Sequence, residues 1–192
     1  MLPLIIYIHG FQSSPLSDKA EETKRYLVSE QLAVDYTAPA LSSYPMTSYR
    51  QLQHLIEQHL PRQIGIIGSS LGGFMATKLS QQYGLKAVLV NPAVRPFELI
   101  SQFLGDNINP YTQVEFCLHE GHIDELRALD VKELSTPENI LVLLQTGDET
   151  LDYRSAVEYY RGCEQVVEEG GDHRFQGYDK HLARLIKFLF TD

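Results

Sequence analysis

The chain has no tryptophan and only two cysteines, Cys117 and Cys163. Two cysteines so far apart make no disulfide framework, and neither has the Cys-x-x-Cys partner of a redox or zinc motif. They read as reduced thiols of a cytoplasmic protein. No apolar run approaches the roughly 18 residues of a membrane-spanning helix. The apolar opening, Met1 to Ile8, lacks the basic region and small-residue cleavage site of a signal peptide, and His9-Gly10 ends it early, so it reads as a first strand. Basic runs are also absent: the formal net charge is -9 and Lys and Arg never gather, which argues against nucleic acid or an anionic membrane surface as a partner. Gly-x-Gly-x-x-Gly and Gly-x-x-x-x-Gly-Lys-Ser/Thr are missing, which removes the usual dinucleotide and nucleoside-triphosphate readings of an α/β sheet. There is no internal repeat and no low-complexity segment.

What is present is an ordinary globular composition, 43% hydrophobic and 21% charged. At 192 residues the chain can bury a sizeable core, and one domain, 1–192, is expected. Short β-branched runs alternate with amphipathic stretches, the pattern of a parallel sheet covered by helices. The expected strands are Leu4 to His9, Ala33 to Pro39, Gln63 to Ser69, Ala87 to Asn91, Ile140 to Thr146 and Glu164 to Glu168. Helical spacing marks Ser17 to Glu30, Thr47 to His59, Leu71 to Gln82, Tyr153 to Arg161 and Tyr178 to Phe190. The alternation breaks once, where about 45 residues separate Asn91 from Ile140, far more than a crossover needs. Phe97 to Leu104 and Ile123 to Leu129 read as two short helices there. The excursion is either a small cap over the ligand crevice, between residues 92 and 139, or a crossover helix with long flanking loops.

The strongest chemical signal is Gly68-Ser69-Ser70-Leu71-Gly72, between a strand pattern and a helix pattern. Chance alone yields Gly-x-Ser-x-Gly in about 5% of chains this long, and the correct flanking elements lower that considerably. A turn that thrusts a serine out of a strand's carboxyl end forces it into strained backbone angles, and glycines two positions either side leave room for it. Only Ser70 is centred in the pattern, so Ser70 is the expected nucleophile. The bland alternative is a glycine-rich turn that merely lets helix and sheet pack. His9-Gly10-Phe11 closes the first strand where such a site draws half of its oxyanion hole, so the backbone N–H groups of Phe11 and Leu71 are the expected oxyanion donors. His9 itself reads as a buried histidine bonded to loop backbone.

The chain order of this kind of site is serine, acid, histidine, and only His173 and His181 come late enough to be the base. His173 lies in the glycine-flexed run Gly170-Gly171-Asp172-His173 after the last strand, whereas His181 reads as a helix-surface residue. For the acid, Asp148, Glu149 and Asp152 compete. Asp148 comes first after the Gly147 turn, where a carboxylate can hold the His173 tautomer that faces Ser70. Asp152 reads as a helix N-cap and Glu149 as solvent-directed, although a shift of the turn could exchange Glu149 with Asp148. His119, His122 and Asp124 could be drawn as metal ligands, but Gly121 disfavours a helix there and the reading is a polar loop leading into a helix; His54 and His59 read as surface.

Together, Tyr7-Ile8-His9-Gly10-Phe11-Gln12-Ser13-Ser14-Pro15, Gly68 to Gly73, Asn91-Pro92-Ala93-Val94-Arg95-Pro96, Gln145 to Glu149 with Leu151-Asp152-Tyr153, and Glu169 to His173 resemble the small bacterial YqiA-like esterases of the α/β-hydrolase superfamily. The resemblance covers the whole chain. It implies a three-layer α/β-hydrolase fold with a minimal, mostly parallel six-stranded sheet, lacking the antiparallel strands that open larger relatives. It also implies hydrolysis of simple acyl esters or acyl-CoA thioesters, small-molecule substrates, without a cofactor or metal. The expectation is acyl transfer to water by Ser70, His173 and Asp148. The rival is a non-catalytic ligand-binding protein on the same scaffold.

Overall fold

In the computed structural model, which describes residues 1–191, six parallel strands form one sheet in the order β2-β1-β3-β4-β7-β8. These are β1 (Leu4–Ile8), β2 (Asp35–Thr37), β3 (Ile64–Ser69), β4 (Lys86–Val90), β7 (Ile140–Gln145) and β8 (Glu164–Glu168). The chain reverses its direction of growth between β2 and β3, so the crevice at the carboxyl ends of β1 and β3 is where this topology forms a site. Central β1, β3 and β7 are buried at every position, as parallel strands covered on both faces must be, while edge strands β2 and β8 are partly exposed.

The strand period of two divides each strand between two helical layers. Ile6 and Ile8 of β1 pack with Leu52 and Ile56 of α2 (Pro45–His59) and with Phe74 and Leu79 of α3 (Leu71–Tyr83). Ile5 and Tyr7 face Leu27 of α1 (Asp18–Ser29) and Leu182, Leu185 and Leu189 of α7 (Leu182–Phe190). Gly65 of β3 lets the Leu189 side chain close onto the sheet.

Between β4 and β7 lie a short helix α4 (Pro96–Leu99), a 3-10 turn (Ile100–Phe103), and an antiparallel hairpin of β5 (Gly105–Ile108) and β6 (Glu115–Leu118). Helix α5 (Glu120–Leu129) follows and packs on α2. The two expected short helices are there, the first as α4 with its 3-10 turn and the second as α5, but the hairpin between them was not expected. Its strands are four residues long, and β5 has no alternating apolar face to announce it. A second correction concerns Gly121, which lies inside the first turn of α5 rather than in a loop. A glycine so near an N-terminus costs little when the ends are satisfied, and here His122 Nδ1 accepts the His119 amide at 3.1 Å. Helix α6 (Tyr153–Tyr159) connects β7 to β8. Among the described residues no helix is long and apolar enough to cross a membrane.

Three tyrosines are buried to 2% exposure or less: Tyr7, Tyr160 and Tyr178. Thr77 and Thr23 pair with the hydroxyls of Tyr160 and Tyr178 at 2.8 and 2.9 Å, and burial pushes all three phenols above their ordinary value. The unfolded chain loses these protons near pH ~10 while the folded chain keeps them. Stability is therefore full below that pH and falls as pH rises beyond it. The thermal midpoint is expected to drop between pH 9 and 11. Part of the tyrosinate absorbance should appear only with unfolding; complete titration ahead of unfolding would contradict this.

Candidate active site

The sequence Gly68-Ser69-Ser70-Leu71-Gly72 forms the junction of β3 and α3, with Ser70 at φ 54° and ψ -120°. A non-glycine residue held there costs on the order of 1–3 kcal/mol and persists because its surroundings over-determine it. The Ser70 amide donates to Val90 O at 3.1 Å, and the Ser70 carbonyl accepts from Gly73, Phe74 and Ala93 at 2.9, 3.3 and 3.0 Å. A Cβ on Gly72 would collide with the carbonyl oxygen of Ile8, and one on Gly68 with that of Gly72. The glycines are thus required by the approach of β1, the turn and α3.

The end of β1 brings the second component. Gly10 packs against Ser70, where a Cβ would sit 3.2 Å from the serine Cβ. The amides of Phe11 and Leu71 have no hydrogen-bond partner among the described residues. The hairpin and the 3-10 turn before it brace this loop: Asn109 Nδ2 donates to Ser13 O at 3.0 Å, and the Phe11 ring meets Phe103 and Phe116 edge-on at 5.2 and 5.9 Å between centroids. His9 is 7% exposed and donates from Nδ1 to Gly10 O at 3.0 Å; burial lowers its pKa, partly offset by that bond.

The third component is the pair of loops after β7 and β8. Gly147 N donates to Gly170 O and Gly170 N to Thr146 Oγ1, both at 2.8 Å, zipping the loops together. Asp148 projects inward with a side chain 2% exposed. Its Oδ1 accepts the amides of Thr150 and Leu151 at 2.9 and 2.8 Å, and its carboxylate meets His173 Nδ1 at 3.0 and 2.8 Å. The other imidazole nitrogen, His173 Nε2, lies 3.1 Å from Ser70 Oγ. A carboxylate can only accept, so Nδ1 carries the proton and Nε2 is left with a lone pair aimed at the hydroxyl.

The competing residues separate cleanly. Asp152 Oδ1 caps α6 by accepting the Arg154 amide at 3.0 Å. Glu149 is exposed as expected, yet its Oε2 also accepts the His173 backbone amide at 2.9 Å, because the turn after Gly147 runs alongside the glycine loop. His181 is not an ordinary surface histidine either. It ends the 3-10 turn Tyr178–His181, its side chain is 12% exposed, and its Nε2 lies 3.0 Å from Glu168 Oε1. His54 is exposed and His59 partly so. The His119 and His122 rings lie 3.8 Å apart between centroids, tilted by 37°, and no group of three or more potential metal ligands occurs among the described residues.

Ser70, His173 and Phe11 line one cleft of about 220 Å³ together with Gln12, Lys19 and Tyr111. Lys19 escaped the reading of the sequence, since a lysine in the first turn of an amphipathic helix looks like solvated surface. Its ammonium donates to Arg174 O at 2.8 Å, tying α1 to the residue after His173, and burial lowers its pKa against the pull of Glu22, Asp18 and Asp172.

Residues 4–190 match the family described as "Uncharacterised protein family (UPF0227)". Relatives include a UPF0227 protein from Citrobacter koseri, 24% identical over 96% of this chain and 98% of its own, and UPF0227 protein YcfP from Salmonella gallinarum, with the same identity and coverage. Similar solved structures include alpha/beta hydrolase domain-containing protein 10 from mouse, with TM-score 0.74 and 14% identity over 96% of this chain and 88% of that one. Est1E from Butyrivibrio proteoclasticus, solved with ferulic acid bound, gives TM-score 0.72 and 13% identity over 97% and 87%. The esterase domain of a Rhodothermus marinus protein gives TM-score 0.67 and 15% identity over 96% and 85%. The three-layer arrangement is accordingly the α/β-hydrolase fold, with esterases among its structural neighbours.

Proposed function

The chain belongs to the family UPF0227, and from the geometry of its cleft we propose that it is a serine esterase acting on simple carboxylic acyl esters, with acyl thioesters as substrates of the same chemistry. The observation that carries this reading is the continuous relay from the Asp148 carboxylate through His173 to Ser70 Oγ, at 2.8 and 3.1 Å. It ends beside two amides, those of Phe11 and Leu71, that have no partner among the described residues.

His173 Nε2 takes the Ser70 proton as Oγ bonds to the acyl carbon. The carbonyl π pair moves to oxygen, which the Phe11 and Leu71 amides hold. Each such donor is worth on the order of 3 kcal/mol in the transition state. Collapse breaks the bond to the leaving alcohol or thiol, which receives the proton from His173. Water then repeats the sequence on the acyl-enzyme and releases the acid. Asp148 keeps Nδ1 protonated and stabilises the imidazolium.

A purified sample is expected to react stoichiometrically with a fluorophosphonate probe at Ser70 and to hydrolyse p-nitrophenyl esters. The same assay run across acyl-CoA chain lengths ranks ester against thioester. A chain that neither labels nor turns over any ester is instead a binding protein on a hydrolase scaffold.

A further inference from the structure

Asn91 follows β4 at φ 41°, is 2% exposed, and takes no direct part in the chemistry proposed above. Its polar side chain is fully committed. Oδ1 accepts the amide of Gln145 at 3.0 Å, and Nδ2 donates to Asp172 O at 3.0 Å and to His173 O at 3.2 Å. Its partners fix which end is oxygen and which nitrogen, since an amide can only donate and a carbonyl only accept. The backbone around it is equally occupied: Asn91 N donates to Leu143 O at 2.9 Å, while neighbouring Val90 O and Ala93 N hold the amide and carbonyl of Ser70 at 3.1 and 3.0 Å.

Every segment of the relay therefore meets at this residue. Ser70 is fixed by the backbone on either side of Asn91. Strand β7, which delivers Asp148, ends on its Oδ1. The loop that carries His173 hangs from its Nδ2. That loop relies on such an anchor, because its consecutive glycines Gly170 and Gly171, at φ 79° and 73°, have no side chain to restrict the backbone leading to His173. Gln145 adds a second tie, its Oε1 accepting Asp172 N at 3.3 Å and Gln176 N at 2.8 Å without bonding His173, and exposed Glu149 adds a third on the His173 amide at 2.9 Å; Asn91 is the buried side chain that bonds the His173 backbone itself.

We propose that Asn91 is the positioning residue of the site, setting the distance between His173 Nε2 and Ser70 Oγ through the His173 carbonyl. The inference rests on the serine-esterase reading. It predicts an effect on the chemical step with little on substrate binding, because Asn91 does not line the cleft. A misplacement of about 1 Å is enough to cost on the order of 100-fold.

Asn91→Gly tests this, since glycine tolerates the positive φ and removes all three side-chain bonds. Expected for the folded variant are a kcat about 100-fold down, KM within about twofold, and fluorophosphonate labelling slowed in parallel. The decisive comparison uses His173→Ala as background. If Asn91 acts through His173, Asn91→Gly lowers the residual activity of His173→Ala no further; an equal loss in both backgrounds overturns the proposal. Should Asn91→Gly not fold, Asn91→Asp keeps the shape and Oδ1 but sets an acceptor against two carbonyls, and wild-type kcat in that variant is equally fatal. Failure of the underlying reading looks different: wild-type protein then neither labels nor turns over esters.

Discussion

Ser70→Ala is expected to lower kcat for p-nitrophenyl butyrate by about a million-fold, the scale at which residues acting as a unit fail together. The alanine removes the only atom within hydrogen-bond distance of His173 Nε2 among the described residues. It leaves everything else, because the turn is held by backbone bonds to Val90, Gly73, Phe74 and Ala93 and not by the hydroxyl. Alanine is strained at φ 54° much as serine is, so the thermal midpoint should hardly move. The variant thus separates chemistry from folding. Activity above a tenth of wild type with an unchanged melting curve would remove Ser70 from the mechanism. Unchanged fluorophosphonate labelling elsewhere on the chain would identify another nucleophile.

The centre of the sheet was legible because its strands are buried on both faces. Leu4 to Ile8, Ile64 to Ser69 and Ile140 to Leu144 are continuous apolar or small runs whose ends coincide with glycine or polar residues. The edge strand β2 was legible only roughly: Asp35–Thr37 is all that pairs of the stretch Ala33 to Pro39. Ser70 was legible because strain leaves a covalent trace, the flanking glycines that the approach of Ile8 and Gly72 demands. The β5–β6 hairpin was not, because its stability comes from contacts distant in sequence, Asn109 on Ser13 and Phe116 on Phe11, that no local pattern encodes. The same holds for Asn91 and Lys19. A buried asparagine after a strand and a lysine in a first helical turn acquire meaning only when the β7 and β8 loops are brought beside them. The three carboxylates after β7 show the limit from the other side. Chain order already separates Asp148, first after the turn, from Asp152, the residue before a helix, but only the turn geometry brings Glu149 to the His173 amide.

That division makes Asp148→Asn the second large effect, a loss of about 10,000-fold in kcat. Oδ1 of Asp148 already accepts the Thr150 and Leu151 amides, so an asparagine keeps its oxygen there and turns its NH₂ toward His173 Nδ1. A donor facing Nδ1 favours the tautomer with the proton on Nε2, and that nitrogen then has no lone pair for the Ser70 hydroxyl. The site would keep its geometry and lose its base. Asp152→Asn is expected to change kcat by less than about twofold, since asparagine caps a helix as well as aspartate and the Asp152 side chain is 58% exposed. Glu149→Gln preserves an oxygen able to accept the His173 amide and should likewise stay close to wild type. Steady-state kinetics on the three variants, with melting curves to exclude unfolding, read this order directly. A large loss at Asp152 with little at Asp148 would reassign the acid, because in that case the carboxylate bonded to His173 in this structure is not the one that sustains its basicity during turnover.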